Sequence, residues 1–184
     1  MLAEARDLHA RTNHTVHAPI PIGSPSPVAT PNESLIERFY ASFAKRDGGA
    51  MAACYAPDVH FSDPVFPDLH GEEAKAMWRM LTARASDLEV ELLEREANGD
   101  RGSARWRAHY TFSQTGRPVV NEVAASFRLG DGLIVEHNDD FDFHRWARQA
   151  LGPVGLLLGW TPFLQASVRR RARAGLEEFQ AKEG

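Results

Sequence analysis

Apolar positions recur with two different periods along this chain, helical in its first half and alternating in its second. Leu35, Ile36, Phe39, Tyr40 and Phe43 fall on one helical stripe, which predicts a first helix from Asn32. Ser34 with Glu37, or Asn32 itself, is the expected cap, and Asp47-Gly48-Gly49 the stop. Ala50 to Tyr55 predicts a short second helical turn ended by Pro57. Val59 to Asp63 then alternates as a brief strand, closed by Pro64 and Pro67, which no central ladder accepts. Past Gly71, helical spacing returns at Ala74, Met77, Trp78 and Leu81, predicting a third helix.

The second half reads as sheet. Leu88, Val90 and Leu92 share one side of a strand that turns at Asn98-Gly99-Asp100. Trp106, Ala108, Tyr110 and Phe112 alternate with Arg105, Arg107, His109 and Thr111, so one face is dry and the other wet. Beyond the turn at Thr115-Gly116-Arg117-Pro118, the next strand places Val119, Asn121, Val123, Ala125, Phe127 and Leu129 together. After Gly130-Asp131-Gly132, the last strand continues that face with Leu133, Val135, His137, Asp139 and Phe141. Helices followed by an antiparallel meander define an α+β arrangement.

From Phe143 the pattern is helical but broken at Gly152-Pro153 and Thr161-Pro162, and the apolar run from Leu151 to Leu164 is too short to span a bilayer. Ser167 to Lys182 predicts a final helix carrying a cluster of arginines, Arg169, Arg170, Arg171 and Arg173. Met1 to Pro31 has five prolines and no apolar core after its charged start. It reads as a disordered tail that is neither signal peptide nor anchor, with a cytoplasmic location expected. The divisions are therefore 1–31 tail, 32–143 folded domain and 144–184 helical extension.

Composition narrows the classes. With 184 residues, 43% hydrophobic and 25% charged, there is room for one domain with a real core and no need of a metal or disulfide staple. The lone Cys54 cannot form an intrachain bridge. A net charge of −4 leaves no domain-wide positive field for nucleic acid. Glycine-rich phosphate loops, His-Glu-x-x-His, Cys-x-x-Cys and nucleophile elbows are all missing from the sequence, so no cofactor is implied.

Polar side chains on an apolar strand face are the informative anomaly, because burying one unpaired costs about 1–3 kcal/mol. Asp63, Asn121, His137 and Asp139 qualify. A sheet curled around a cavity would point all four inward, where a carboxylate has its pKa raised toward general acid–base use. The plainer alternatives are that Asp63 caps a turn before Pro64 and that His137 is a satisfied core histidine. A metal triad of His137, Asp139 and His60 is disfavoured because His60 alternates away from the Asp63 face. The arginine cluster could touch anionic lipid, but a packed helix with a solvated basic face is the preferred reading.

Tyr55-Ala56-Pro57-Asp58-Val59-His60-Phe61-Ser62-Asp63-Pro64, with the helix ending at Asp47, Gly71 opening the third helix and the turns at Gly116 and Gly132, resembles the nuclear transport factor 2-like superfamily. That superfamily includes ketosteroid isomerases and SnoaL-like polyketide cyclases. The resemblance covers about Asn32 to Phe143 and implies a cone: a curved antiparallel sheet wrapped around N-terminal helices, enclosing an apolar cavity and often dimeric through the sheet. The extension after Phe143 would close the cone mouth or extend the dimer interface. Asp63 falls where ketosteroid isomerases keep their base. The tyrosine expected in the oxyanion hole is replaced by Phe39, with Tyr40 one residue off, and the second oxyanion position reads Ala125. Asp139 or His137 is the candidate for the late-strand acidic base of SnoaL-like cyclases. The Asp-Arg-Asp arrangement of limonene-epoxide hydrolases would need an arginine, and Arg105 and Arg107 lie on the wet face.

The expected function is binding of a small apolar molecule bearing a carbonyl or hydroxyl, with isomerase, cyclase or hydrolase chemistry by general acid–base catalysis. Asp63, His137 and Asp139 are the candidate catalytic residues. Tyr40, Trp106, Tyr110, Asn121, Val123 and Phe141 are the candidate ligand contacts, and no metal is expected. The alternative is a non-catalytic carrier or dimeric interaction module.

Overall fold

The structure is a computed structural model describing residues 29–184, so the tail expected over 1–31 lies almost wholly outside the described residues. Helix α1 (Pro31–Ala44) starts one turn before the expected caps. Thr30 accepts from the Glu33 backbone N–H while the Glu33 carboxylate accepts from the Thr30 N–H, and Pro31 takes the first helical position. Reciprocal capping satisfies two donors at once, which neither Asn32 nor Ser34 could do here. Helix α2 (Gly48–Ala52) is capped by Asp47, and helix α3 (Glu72–Arg84) follows Gly71. Gly71 has φ +48°, donates to the Val59 carbonyl at 2.7 Å, and comes so close to the chain that a Cβ would lie 2.8 Å from the Pro57 oxygen.

Six strands form one curved open sheet: β1 (Tyr55–Ser62), β2 (Leu69–His70), β3 (Glu89–Asn98), β4 (Arg101–Phe112), β5 (Arg117–Gly130) and β6 (Leu133–Asp140), in the order β2-β1-β6-β5-β4-β3. The run from β3 to β6 is the expected antiparallel meander, but β1 joins β6 in parallel, which hairpin reasoning does not foresee. β1 also begins at Tyr55 rather than Val59. Pro57 sits inside it without harm because the β1–β6 register shifts between Tyr55 and His60, so the prolyl nitrogen is never asked to donate to the ladder.

A second irregularity corrects the expected face of β6. Arg128 pairs with Glu136 and Leu129 with Ile134, leaving Val135 as an extra residue on β6. This bulge turns Ile134 into the core in place of Leu133 and Val135, while His137 and Asp139 keep the inward phase. On β5, strict alternation holds: Val119, Val123, Ala125, Phe127 and Leu129 are all buried.

The extension is three helices: α4 (Phe143–Leu151), α5 (Pro153–Leu158) and α6 (Pro162–Glu183). Helix α6 packs on α3 through fully buried Leu176, and Arg173 pairs with Glu73 while Arg79 pairs with Glu183. Helix α4 packs on β5, where Gln149 exchanges hydrogen bonds with the Val120 backbone at 2.9 and 3.0 Å. The extension thus packs against both the helical layer and the sheet. No helix of the described residues is long and apolar enough to cross a membrane.

Candidate active site

Helices α1 and α3, the concave face of β4–β6, the turn after β1 and the extension line a cavity of about 550 Å³. Its wall is mostly aromatic and aliphatic, with Phe43, Met77, Trp106, Val123, Phe141 and Trp146 among its surfaces. Asp63, Asn121, Tyr110 and Asp139 are the main polar groups on that wall, with Arg84 and Arg171 among the lining residues contributed by α3 and α6.

Asp139 is 4% exposed and His137 1%. Side chains two apart on a strand share a face, and here His137 Nε2 lies 3.0 Å from Asp139 Oδ1, which also accepts from Trp106 Nε1 at 3.3 Å. On the other side of the ring, His137 Nδ1 is 2.6 Å from the Tyr55 hydroxyl, which accepts from Trp78 Nε1 at 2.7 Å. An indole can only donate, and a hydroxyl that accepts from it still has its own proton to give, which allows one continuous chain of donors. Trp78 donates to Tyr55, Tyr55 to Nδ1, and Nε2–H to Asp139. In that chain Asp139 Oδ1 receives two donors, from His137 Nε2–H and Trp106 Nε1–H, while Oδ2 has no partner among the described residues. Phe39, Phe61 and Phe127 surround the ring with centroids 5.4, 5.2 and 4.4 Å away, leaving no access for water.

Asp63 follows the end of β1. Its Oδ1 accepts the backbone N–H groups of Val65, at 2.7 Å, and Phe66, closing a turn over Pro64. Asp63 therefore caps a turn, as the plainer reading expects, and also lines the cavity. Helix α6 clamps that turn: Arg169 Nε donates to the Pro64 carbonyl at 2.9 Å and Gln165 Nε2 at 3.3 Å. Removal from water raises the Asp63 pKa to about 7, with the charge of Asp139 pushing the same way against the two backbone donors. Tyr110 accepts from Trp146 Nε1 at 2.9 Å; burial first, and then the Asp63 charge, raise its phenol, so it stays a donor. The Asn121 side chain has no protein partner among the described residues and lines the same wall.

Of the residues expected at the site, Asp63, Asp139, Trp106, Tyr110, Asn121, Val123 and Phe141 line the cavity. His137 stands behind Asp139 rather than on the wall. Tyr40 is a correction: it does not line the cavity but packs in the core against Trp106 and Phe127, at 5.9 and 6.4 Å between rings. His60 faces the outside, bonded with His70 to Asp68, so the triad with His137 and Asp139 does not assemble. Arg105 and Arg107 pair with Glu94, Glu91 and Glu122 on the outer face, as the alternation predicts. Sequence reasoning missed Tyr55 and Trp78, whose bonds reach across 82 and 23 residues. The one available signal was Tyr55 opening the Tyr-Ala-x-Asp segment.

A curved, open α+β sheet with N-terminal helices is the nuclear transport factor 2-like fold, and this chain has it. It belongs to the SnoaL-like domain family, whose profile matches residues 36–137, more than half of the chain. Among solved structures it is similar to a proposed SnoaL-like polyketide cyclase from Jannaschia sp. CCS1 (18% identity, TM-score 0.61, covering 71% of this chain and 99% of that one). It is likewise similar to an LEH-like epoxide hydrolase from M. tuberculosis (20% identity, TM-score 0.57, 70% and 96%). A third similar structure is TerC, co-crystallized with polyporic acid (20% identity, TM-score 0.58, 67% and 100%). No protein of curated function matches the chain.

Proposed function

We propose that this protein is an acid–base catalyst of the isomerase and cyclase kind, acting on a small, largely apolar carbonyl compound held in the cone. The observation that carries this reading is the inequality of the two cavity carboxylates. Asp139 is fixed by His137 and Trp106 with one oxygen turned to the cavity, and Asp63 keeps its proton up to about pH 7. A carboxyl that keeps its proton, beside a carboxyl held in place by fixed donors, gives the cavity an acid and a base. Asp139 Oδ2 takes a proton from the carbon beside the carbonyl, and protonated Asp63 gives its own to the carbonyl oxygen, forming an enol. Tyr110 and Asn121, which line the same cavity, donate to that oxygen in this reading. Return of a proton to a different carbon completes an isomerisation; attack of the enol carbon on a second carbonyl completes a cyclisation.

Support for this choice over epoxide hydrolysis comes from Arg105 and Arg107 of β4, which pair with outer-face glutamates and so do not supply the arginine that an Asp-Arg-Asp arrangement needs. The test uses aryl 1,3-diketones in D2O, with NMR reading exchange of the hydrogens between the carbonyls. Catalysed exchange is expected, with Asp139→Asn slowing it about 100- to 10,000-fold. Exchange unaffected by Asp139→Asn overturns the assignment, and saturable binding of the diketones without any exchange leaves a carrier.

A further inference from the structure

Helix α5 is built inside out. Gly155 and Gly159 face the protein so tightly that a Cβ would lie 1.8 Å from the Ala147 oxygen at the first and 2.7 Å from the His144 ring at the second. The large residues point the other way: Val154, Leu156, Leu157 and Leu158 are exposed, followed by Trp160 at 72% and Phe163 at 74%. Among the described residues, Leu81 alone adds to this set of exposed large hydrophobics. A monomer gains nothing by turning glycine inward and leucine outward, so this corner is shaped to be covered.

Charge says by what. Between Phe143 and Leu176 the sequence has no Asp or Glu, yet it carries Arg145, Arg148, Arg169, Arg170, Arg171 and Arg173 in a chain whose net charge is −4. Arg169 is occupied by the Pro64 carbonyl and Arg173 by Glu73, but Arg145 and Arg148, on the helix α4 that packs against α5, are exposed and have no carboxylate partner among the described residues. A two-fold contact between copies would set this patch against itself and these cations against their own kind. An anionic bilayer offers hydrocarbon for the leucines, a headgroup layer for Trp160 and negative charge for the arginines. We propose that the corner formed by α5 and the start of α6 docks this protein on an anionic membrane surface, lying on it without crossing it. The proposal is independent of the chemistry assigned to the cavity.

The test is sedimentation of the full chain with vesicles of phosphatidylcholine alone or with about one third phosphatidylglycerol. Binding is expected to the anionic vesicles and not to the neutral ones, and to be lost near 0.5 M salt, where screening shrinks to about 3–5 Å. Combined Leu157→Gln, Trp160→Gln and Phe163→Gln, all at exposed positions outside the cavity, should lower partitioning at least about tenfold. Arg145→Gln with Arg148→Gln should weaken it less and reduce its salt dependence. A chain that stays in the supernatant with anionic vesicles, or a triple variant that binds them as well as the parent, overturns the proposal. So does sedimentation equilibrium showing a dimer that the triple variant turns into monomer, which assigns the patch to a second copy.

Discussion

The two faces of β4–β6 hold their ionisable groups in opposite ways. On the outer face, Arg105, Arg107 and Arg128 pair with Glu94, Glu91, Glu122 and Glu136 in water-exposed bridges. On the inner face, His137 and Asp139 pair with no arginine or lysine among the described residues and are held by directional donors from Trp78, Tyr55 and Trp106. Exposed bridges are interchangeable and worth little, because water screens them. Buried bonds to single donors cost heavily when broken, because the orphaned group has no replacement. The inner face consequently keeps a carboxylate oriented while leaving one of its oxygens free, which an ion pair with arginine would not.

Four measurements would break or sharpen this contrast. The largest effect is expected from His137→Ala, which leaves the Tyr55 hydroxyl without its acceptor and empties an aromatic box. Urea unfolding should show a loss of about 3–5 kcal/mol. Next comes the pH response of Asp63. Its folded carboxyl holds a proton to about pH 7, whereas the unfolded one releases it near 4. The folded state therefore binds more protons in that window, and stability falls as pH rises from about 4 to 7, by roughly 2–4 kcal/mol. Asp63→Asn should flatten that slope while its amide oxygen still accepts from Val65 and Phe66. An unchanged slope assigns the titration elsewhere. Tyr55→Phe strands Trp78 Nε1 and His137 Nδ1 and should cost about 1–3 kcal/mol in the same unfolding assay. Arg107→Ala, on the outer face, should cost less than about 1 kcal/mol despite losing two glutamate partners. A loss there equal to that of Tyr55→Phe would erase the distinction between the faces.

The inner and outer sets of β4 and β5 were legible from alternation alone, and that is why Asn121, Trp106, Tyr110 and Arg107 fall where the pattern places them. Asp139 and His137 were legible as anomalies on a dry face. Bulges were not. Val135 and the β1 segment around Pro57 shift register by inserting residues, and periodicity carries no mark of an insertion. The parallel seam of β1 and β6 joins segments far apart in sequence, so the Tyr55–His137 bond had no local signature. Tyr40 was misplaced because a helical stripe has width, and one step along it separates the cavity wall from the core. Helix α5 misled in another manner: its apolar run is real, but glycine rather than leucine faces the protein.

The central claim, that Asp63 holds a proton near neutrality inside an apolar cavity beside a fixed carboxylate, is most directly tested by carbon-13 NMR titration of its side-chain carboxyl. The account predicts an inflection near pH 7 that moves down when Asp139→Asn removes the neighbouring charge. An inflection near pH 4, the ordinary range for a solvated aspartate, would contradict it.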